Sequence, residues 1–287
     1  MKISNFKLFA GIAVAVAALS SCTKPDRSDD FPHGDVPPTA GGFTASSQIA
    51  PTNLVAYWGF NGDLKDSISN TTGTNKGMTF SPGLKGQALQ GAAAANKAYA
   101  TATPSDAVKN LKAYTISFWV NTPQNVGATG LVSIGHTTEF WANVNVFLDN
   151  GAAGTAVFKT IFRNNNNTPA NYQADINGAQ TSTTAFNNWT NYIVTYDTSG
   201  VVRAYMNGSI VSTKTGTPKP VAAQFANVGP IVFGALHFMT IPSSTSGATD
   251  QPWAGYLSGM LDEVRIYNKA LSPTEISALS VLERRGN

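Results

Sequence analysis

Gly255-Tyr-Leu-Ser-Gly-Met-Leu-Asp-Glu-Val-Arg-Ile-Tyr-Asn-Lys-Ala-Leu-Ser-Pro-Thr-Glu-Ile276 reads as a strand that runs directly into a short capped helix. Val264 and Ile266 fall on one face and Glu263, Arg265 and Tyr267 on the other, the period of two of a half-buried strand. Ser272 then offers an N-cap oxygen, Pro273 stands where a first turn tolerates it, and Glu275 completes a capping box. A helix is therefore expected over 273–282.

The same alternation recurs upstream. Tyr114, Ile116, Phe118 and Val120 make one face of a strand over 114–121, and Tyr192, Val194 and Tyr196 one face of another over 189–197. A strand over 201–206 meets Asn207-Gly208, a pair that accepts positive φ and favours a type I′ hairpin into 209–212. Further strands are expected at 54–60, 87–90, 131–134, 143–148, 156–162 and 230–234. Many short strands with turn signals and one helix indicate an all-β, two-sheet sandwich.

In order along the chain, these segments strongly resemble the LamG-like, concanavalin A-like jelly-roll family. Leu54-Val-Ala-Tyr-Trp-Gly-Phe-Asn-Gly-Asp-Leu-Lys-Asp-Ser67 is similar to its opening strand and turn, and Gly83-Leu-Lys-Gly-Gln-Ala-Leu-Gln-Gly91 to the next segment. The strands at 114–120 and 189–197, Tyr205-Met-Asn-Gly208 and the closing stretch 261–272 follow in family order. Ser69-Asn70 departs from it, since relatives commonly carry Gly after the Asp-Ser pair. The resemblance implies an antiparallel jelly-roll sandwich over 51–287 with one short C-terminal helix, and a role in binding more than in catalysis. The stretches 126–185 and 213–252 match no family segment and are where relatives differ in ligand.

The N-terminus addresses the protein to a membrane. Lys2 and Lys7 precede an apolar run over 8–19, too short to span a bilayer, which needs roughly 20 residues. Residues 1–21 are thus expected to be a signal peptide. Leu19-Ser-Ser-Cys22 resembles the bacterial lipobox, which makes Cys22 the lipidated first residue; the alternative is a plain secretory signal with an incidental Cys. Cys22 is the only Cys, so no internal disulfide holds the fold. Residues 22–50, with Pro32, Pro37, Pro38, Gly41 and Gly42, read as a flexible tether. Asp29-Asp30 partly resembles the surface-export signals of Bacteroidota lipoproteins; an ordinary linker is the alternative. Together these imply a lipid-anchored protein of the outer membrane or cell surface of a Gram-negative bacterium, held by its anchor alone.

Charge and motifs exclude several roles. Losing Lys2 and Lys7 takes the formal net charge from +3 to +1, and no basic run remains to hold nucleic acid. Glycoside hydrolases share this sandwich and need two carboxyls flanking the scissile bond. Only four glutamates exist, Glu139, Glu263, Glu275 and Glu283, and no Glu-x-Asp-x-x-Glu run occurs. Glu139 with Asp149 is the one pair left for a hydrolase.

The resemblance implies a structural Ca²⁺ between the first turn and the closing strand, with Asp63, Asp66 and Asp262 as hard oxygen ligands. Asp262 shares the parity of Val264 and Ile266, which would aim its carboxylate inward. The alternative is that Asp262 pairs with a base or caps backbone amides, and that Asp63 and Asp66 make Asx turns. For a glycan, His136, Trp141, Asn143 and Asn145, all on unmatched sequence, and Trp253 are the candidate platform. Trp58, Trp119 and Trp189 lie on matched strands and are expected in the core, where Trp141 would also fit. The reading is a non-catalytic carbohydrate-binding surface lipoprotein; a structural or adhesion module for protein partners is the alternative.

Overall fold

The computed structural model describes residues 39–164, 172–215 and 222–286. The signal peptide, Cys22 and the first part of the tether lie outside the described residues.

In chain order the strands are β1 Leu54–Trp58, β2 Thr74–Lys76, β3 Thr79–Pro82, β4 Gln87–Gln90, β5 Tyr99–Ala102 and β6 Tyr114–Asn121. Then come β7 Ala128–His136, β8 Val144–Asp149, β9 Ala156–Asn164, β10 Tyr172–Ser182 and β11 Thr190–Tyr196. β12 Val201–Met206, β13 Ser209–Thr215, β14 Val228–Phe233, β15 Ala254–Gly255 and β16 Met260–Tyr267 complete them. Asp106–Lys109 (α1) is a single turn, and Pro273–Arg284 (α2) is the long helix.

These strands form two sheets of eight. The first runs β13-β12-β11-β6-β16-β4-β3, with β1 also paired to β16; the second runs β10-β9-β8-β7-β14-β5-β2, with β15 beside β7. Every described pairing is antiparallel except β15 with β7. Tyr114, Ile116, Phe118 and Val120 point between the sheets, as their alternation requires, and meet Val144, Val146, Leu148, Phe158 and Phe162 of the opposite sheet. Phe158 stacks on Tyr192 at 4.7 Å between ring centroids, and Phe162 lies 4.4 Å from Tyr196. Asn207 and Gly208 have φ of +48° and +81°, the two positive values of the I′ turn.

Sequence alternation missed five strands: β2, β3, β5, β10 and β15. β2 is exposed along its length and β3 carries no fully buried residue, so neither has two contrasting faces. Trp58 is core, edge-on to Phe233 at 5.1 Å. Trp189 is half-buried and precedes β11.

The tether is shorter than expected, because residues from Ala40 onward already pack with the domain. Ile49, 1% exposed, packs with Ile276, Leu279 and Leu282 of α2, and Phe43 joins them. Two apolar residues among prolines and glycines were enough, because α2 leaves an apolar side to receive them. α2 itself begins as expected: Ser272 Oγ accepts from Glu275 N, and Glu275 Oε2 accepts from Ser272 N at 2.7 Å.

β16 carries a bulge that decides the outer face of the first sheet. Glu263 has φ of +51°, and the register against β6 shifts between Asp262 and Arg265. Asp262 therefore lies opposite Trp119, on the face away from the core, whereas Val264 and Ile266 point into it. The expectation that Asp262 shares their inward parity is corrected: the extra residue resets the alternation. On that outer face Arg265 Nε donates to Glu283 Oε1 and Arg265 Nη2 to Glu263 Oε2, each at 2.6 Å. Tyr57 Oη donates to Glu263 Oε1 and Trp119 Nε1 to Glu283 Oε2, each at 2.7 Å. Both glutamates are fully buried. Arg265→Leu would leave two buried carboxylates without their cation, which costs about 3–5 kcal/mol. Urea unfolding of this variant is expected to show that loss; a change under about 1 kcal/mol would contradict the assignment.

Candidate functional site

β7, β8 and β9 lie side by side in the second sheet. Their alternation sends Val144, Val146, Leu148, Phe158 and Phe162 to the core, and Phe147, Lys159, Ile161 and Arg163 to the outer face. Part of that face is roofed by the segments 137–142 and 235–254, which bring Phe140, Trp141, Phe238 and Trp253 together. Trp141 stacks on Phe147 at 5.8 Å and 19°, and Trp253 lies 6.2 Å from Trp141 and 5.6 Å from Phe238. Where the roof stops, a cleft of about 340 Å³ opens between Trp141, Trp253, Phe147 and Ile161 and the charged side chains of Asp149, Lys159 and Arg163. Asp149 and Lys159 form an ion pair across adjacent strands. Trp253 is 39% exposed, so an aromatic face is open to a ligand beside fixed charges.

Of the residues proposed for a platform, the fold unites Trp141 and Trp253 and removes the other three. Asn143 is fully buried: its Nδ2 donates to Gly135 O (2.8 Å) and Ala226 O (3.0 Å), and its Oδ1 accepts from Ala226 N (2.9 Å). Asn145 is fully buried against Ser133 and Ala142 O. His136 is 1% exposed, and its Nδ1 accepts from Thr138 N and Glu139 N, each at 3.2 Å. His136 and Asn145 fasten the roof segment 137–142, and Asn143 ties Gly135 to Ala226. Lys159, Ile161 and Arg163 were missed, although their alternation with Phe158, Thr160 and Phe162 could have revealed them.

The three aspartates do not converge on a metal. Asp262 Oδ2 accepts from Leu84 N (2.8 Å) and Lys85 N (3.1 Å), and its Oδ1 accepts from Glu263 N (2.8 Å). A Cβ on Gly83 would sit 2.6 Å from that Oδ2, so the turn needs glycine there to bring its amides close. Asp66 Oδ1 accepts from Tyr57 N and Ile68 N, each at 2.9 Å, and its Oδ2 takes Ser69 Oγ. Asp63 caps Lys65 N at 3.0 Å. N–H and O–H donors already take these oxygens, so the aspartates as placed leave no shared oxygen set for Ca²⁺, although burial still pushes the Asp262 carboxyl up. No group of three or more His, Cys, Asp or Glu residues that could hold a metal occurs among the described residues.

Two eight-stranded sheets packed face to face, antiparallel but for β15, make a jelly-roll sandwich. Residues 94–277 match the Laminin_G_3 model of the concanavalin A-like lectin/glucanases superfamily, and the chain belongs to that family. A search of curated proteins finds no relative by sequence. Among solved structures, the binding domain of Paraclostridial Mosquitocidal Protein 1 is similar at a TM-score of 0.58 and 18% identity; the match covers 80% of this chain and 52% of that one. Domain 4 of AbnA, a GH43 extracellular arabinanase from Geobacillus stearothermophilus in complex with arabinotriose, gives 0.51 and 21%, covering 79% and 98%. The binding domain of Botulinum Neurotoxin DC in complex with SialylT gives 0.55 and 15%, covering 80% and 52%. This chain thus spans about half the length of the toxin domains.

The roof carries its own titratable group. His237 is fully buried; its Nε2 meets Glu139 O at 3.2 Å, which fixes the proton there, and its Nδ1 has no partner. Burial holds this imidazole at about 4, from an ordinary 6.5, and burial also holds His136 below its ordinary value. A base depressed in the fold binds its proton more readily when unfolded, so stability is complete above about pH 6.5 and declines as pH falls toward 4. Burial pushes the Asp262 carboxyl up to about 7 and raises Glu283 against the pull of Arg265, and both act in the opposite sense, their contribution falling as pH rises above the ordinary carboxylate range. The His237 contribution is therefore read by difference. From about pH 7.5 to pH 5, the wild type is expected to lose about 2 kcal/mol more stability than His237→Gln. Equal losses, measured by urea unfolding at both pH values, would refute it.

Proposed function

We propose that the protein is a non-catalytic carbohydrate-binding module that holds a glycan against Trp253 and Trp141, on a chain tethered to a membrane through Cys22. The observation that carries this reading is the half-open Trp253 face set beside Asp149, Lys159 and Arg163 in one cleft. Sugar rings present an apolar C–H face and a rim of hydroxyls, and an aromatic wall with a few placed charges complements both. Family membership and the arabinotriose complex of a similar domain support the class of ligand.

The glutamates support binding without catalysis. Glu263 and Glu283 share Arg265, and Glu275 accepts from Ser272 N and from Lys269 Nζ. The remaining one, Glu139, is not among the residues lining the cleft with Asp149. Hydrolysis needs two carboxyls poised on either side of one bond, and these four are committed or elsewhere.

The lipobox-like Leu19-Ser-Ser-Cys22 supports the anchor, and glycan capture at the surface of a Gram-negative bacterium is the role that joins the two. No helix among the described residues is long and apolar enough to cross a membrane.

Trp253→Ala is expected to weaken glycan binding about 30-fold in calorimetry and to cost less stability than Trp141→Ala, because Trp253 is 39% exposed. Trp141→Ala should cost binding and stability together, because its ring packs on Phe140, Phe147 and Phe238. A polysaccharide panel should show retention without release of reducing sugar; such release would overturn the non-catalytic reading. Separately, Cys22→Ser should move the protein from the membrane fraction to the soluble one, and a variant that stays with the membrane would sink the anchor.

A further inference from the structure

We infer that the site receives a glycan chain laid along its length, and not a terminal sugar, an inference that rests on the carbohydrate-binding reading above. The surface beyond Trp253 does not flatten. A second depression of about 530 Å³ is bounded by Pro252, Ala254 and Gly127, the chain neighbours of Trp253 and Ala128 in the first cleft. A third, of about 320 Å³, shares Lys97 and Asp250 with the second. The first depression thus adjoins the second through chain neighbours, the second meets the third at Lys97 and Asp250, and each is of a size that holds a small molecule. One sugar needs one of them; a succession fits a polymer.

Each depression also presents an exposed apolar side chain. Trp253 lines the first, Val126 (80% exposed) the second and Ile241 (55%) the third. The described residues leave five large apolar side chains exposed, and three of the five fall on this strip. Their concentration marks it as a contact surface. Polar groups stand inside the first cleft, Asp149 with Lys159, and where the second and third depressions meet, Lys97 Nζ with Asp250 Oδ2, 3.7 Å apart. The Lys97 and Asp250 side chains are 50% and 63% exposed, and such a pair is weak enough in water to exchange its partner for sugar hydroxyls. Exposed apolar faces beside hydroxyl-binding charges suit the successive sugars of a polysaccharide.

The test uses the full chain, immobilised, with size-graded partial hydrolysates of arabinan, pectin, mixed-linkage β-glucan and hyaluronan. Retention of the polysaccharide that binds should tighten about tenfold from trisaccharide to octasaccharide. Lys97→Ala combined with Asp250→Ala should abolish that increment. Retention that stays flat beyond the trisaccharide, or an increment that survives the double variant, overturns the extended site while leaving the first cleft standing. Failure of every fragment at every length overturns the carbohydrate-binding reading and this inference with it.

Discussion

The guanidinium of Arg265 is held between the carboxylates of Glu263 and Glu283 where water does not reach. This arrangement ties the closing strand to the terminal helix, to β1 through Tyr57 and to the middle of the sheet through Trp119. It requires the bulge at Glu263, since a regular strand would not set Asp262 and Arg265 against β6 as they stand. Two carboxylates on one cation leave a net negative charge. The Tyr57 hydroxyl, the Trp119 N–H and the Arg284 guanidinium, 5.1 Å above the Trp119 ring, relieve it. A buried pair adds little net stability over an apolar substitute, but it is satisfied in only one geometry. Its effect is to fix where α2 docks, and with α2 the residues 40–50.

The two outer faces of the sandwich are closed by different means. α2 covers the first with an apolar stripe, so that Ile193, Tyr205 and Tyr267 meet Ile276, Leu279 and Leu282. The second is covered by irregular segments, which must satisfy their backbone groups one at a time. Tyr256 Oη donates to Met239 O, Thr245 Oγ1 to Glu139 O, and Asn143 holds both Gly135 and Ala226. A roof built this way ends irregularly, and the aromatic side chains at its margin stay partly exposed. The cleft is that margin, carried on a rigid sheet, the usual division between scaffold and binding loops.

The core strands, the I′ hairpin and the capping box were legible in the chain because each is written within a few residues. Alternation at 114–120 and 192–196 needs only the strand's own period, and Ser272 with Glu275 needs only one turn of helix. The short strands β2 and β3 were not legible, since an exposed edge has no second face to contrast with. In the site, Trp141 was recognised by residue type and by its place on sequence unlike the family's, and Trp253 by residue type alone. His136, Asn143 and Asn145 have the same credentials and went the other way.

What separates these two groups lies far off in the chain. Asn143 is buried by Ala226, 83 residues on, and Glu139 is fastened by Thr245, 106 residues on. Asp262 meets Leu84, 178 residues earlier, and finds three amides. The sequence alone determined the class of fold, its strand faces and its terminal helix, because propensity, period and capping act locally. Tertiary structure alone decided which polar side chains face water and which are spent on backbone amides. A side chain's fate depends on what covers it, and here the covers are supplied by segments its own neighbourhood does not contain.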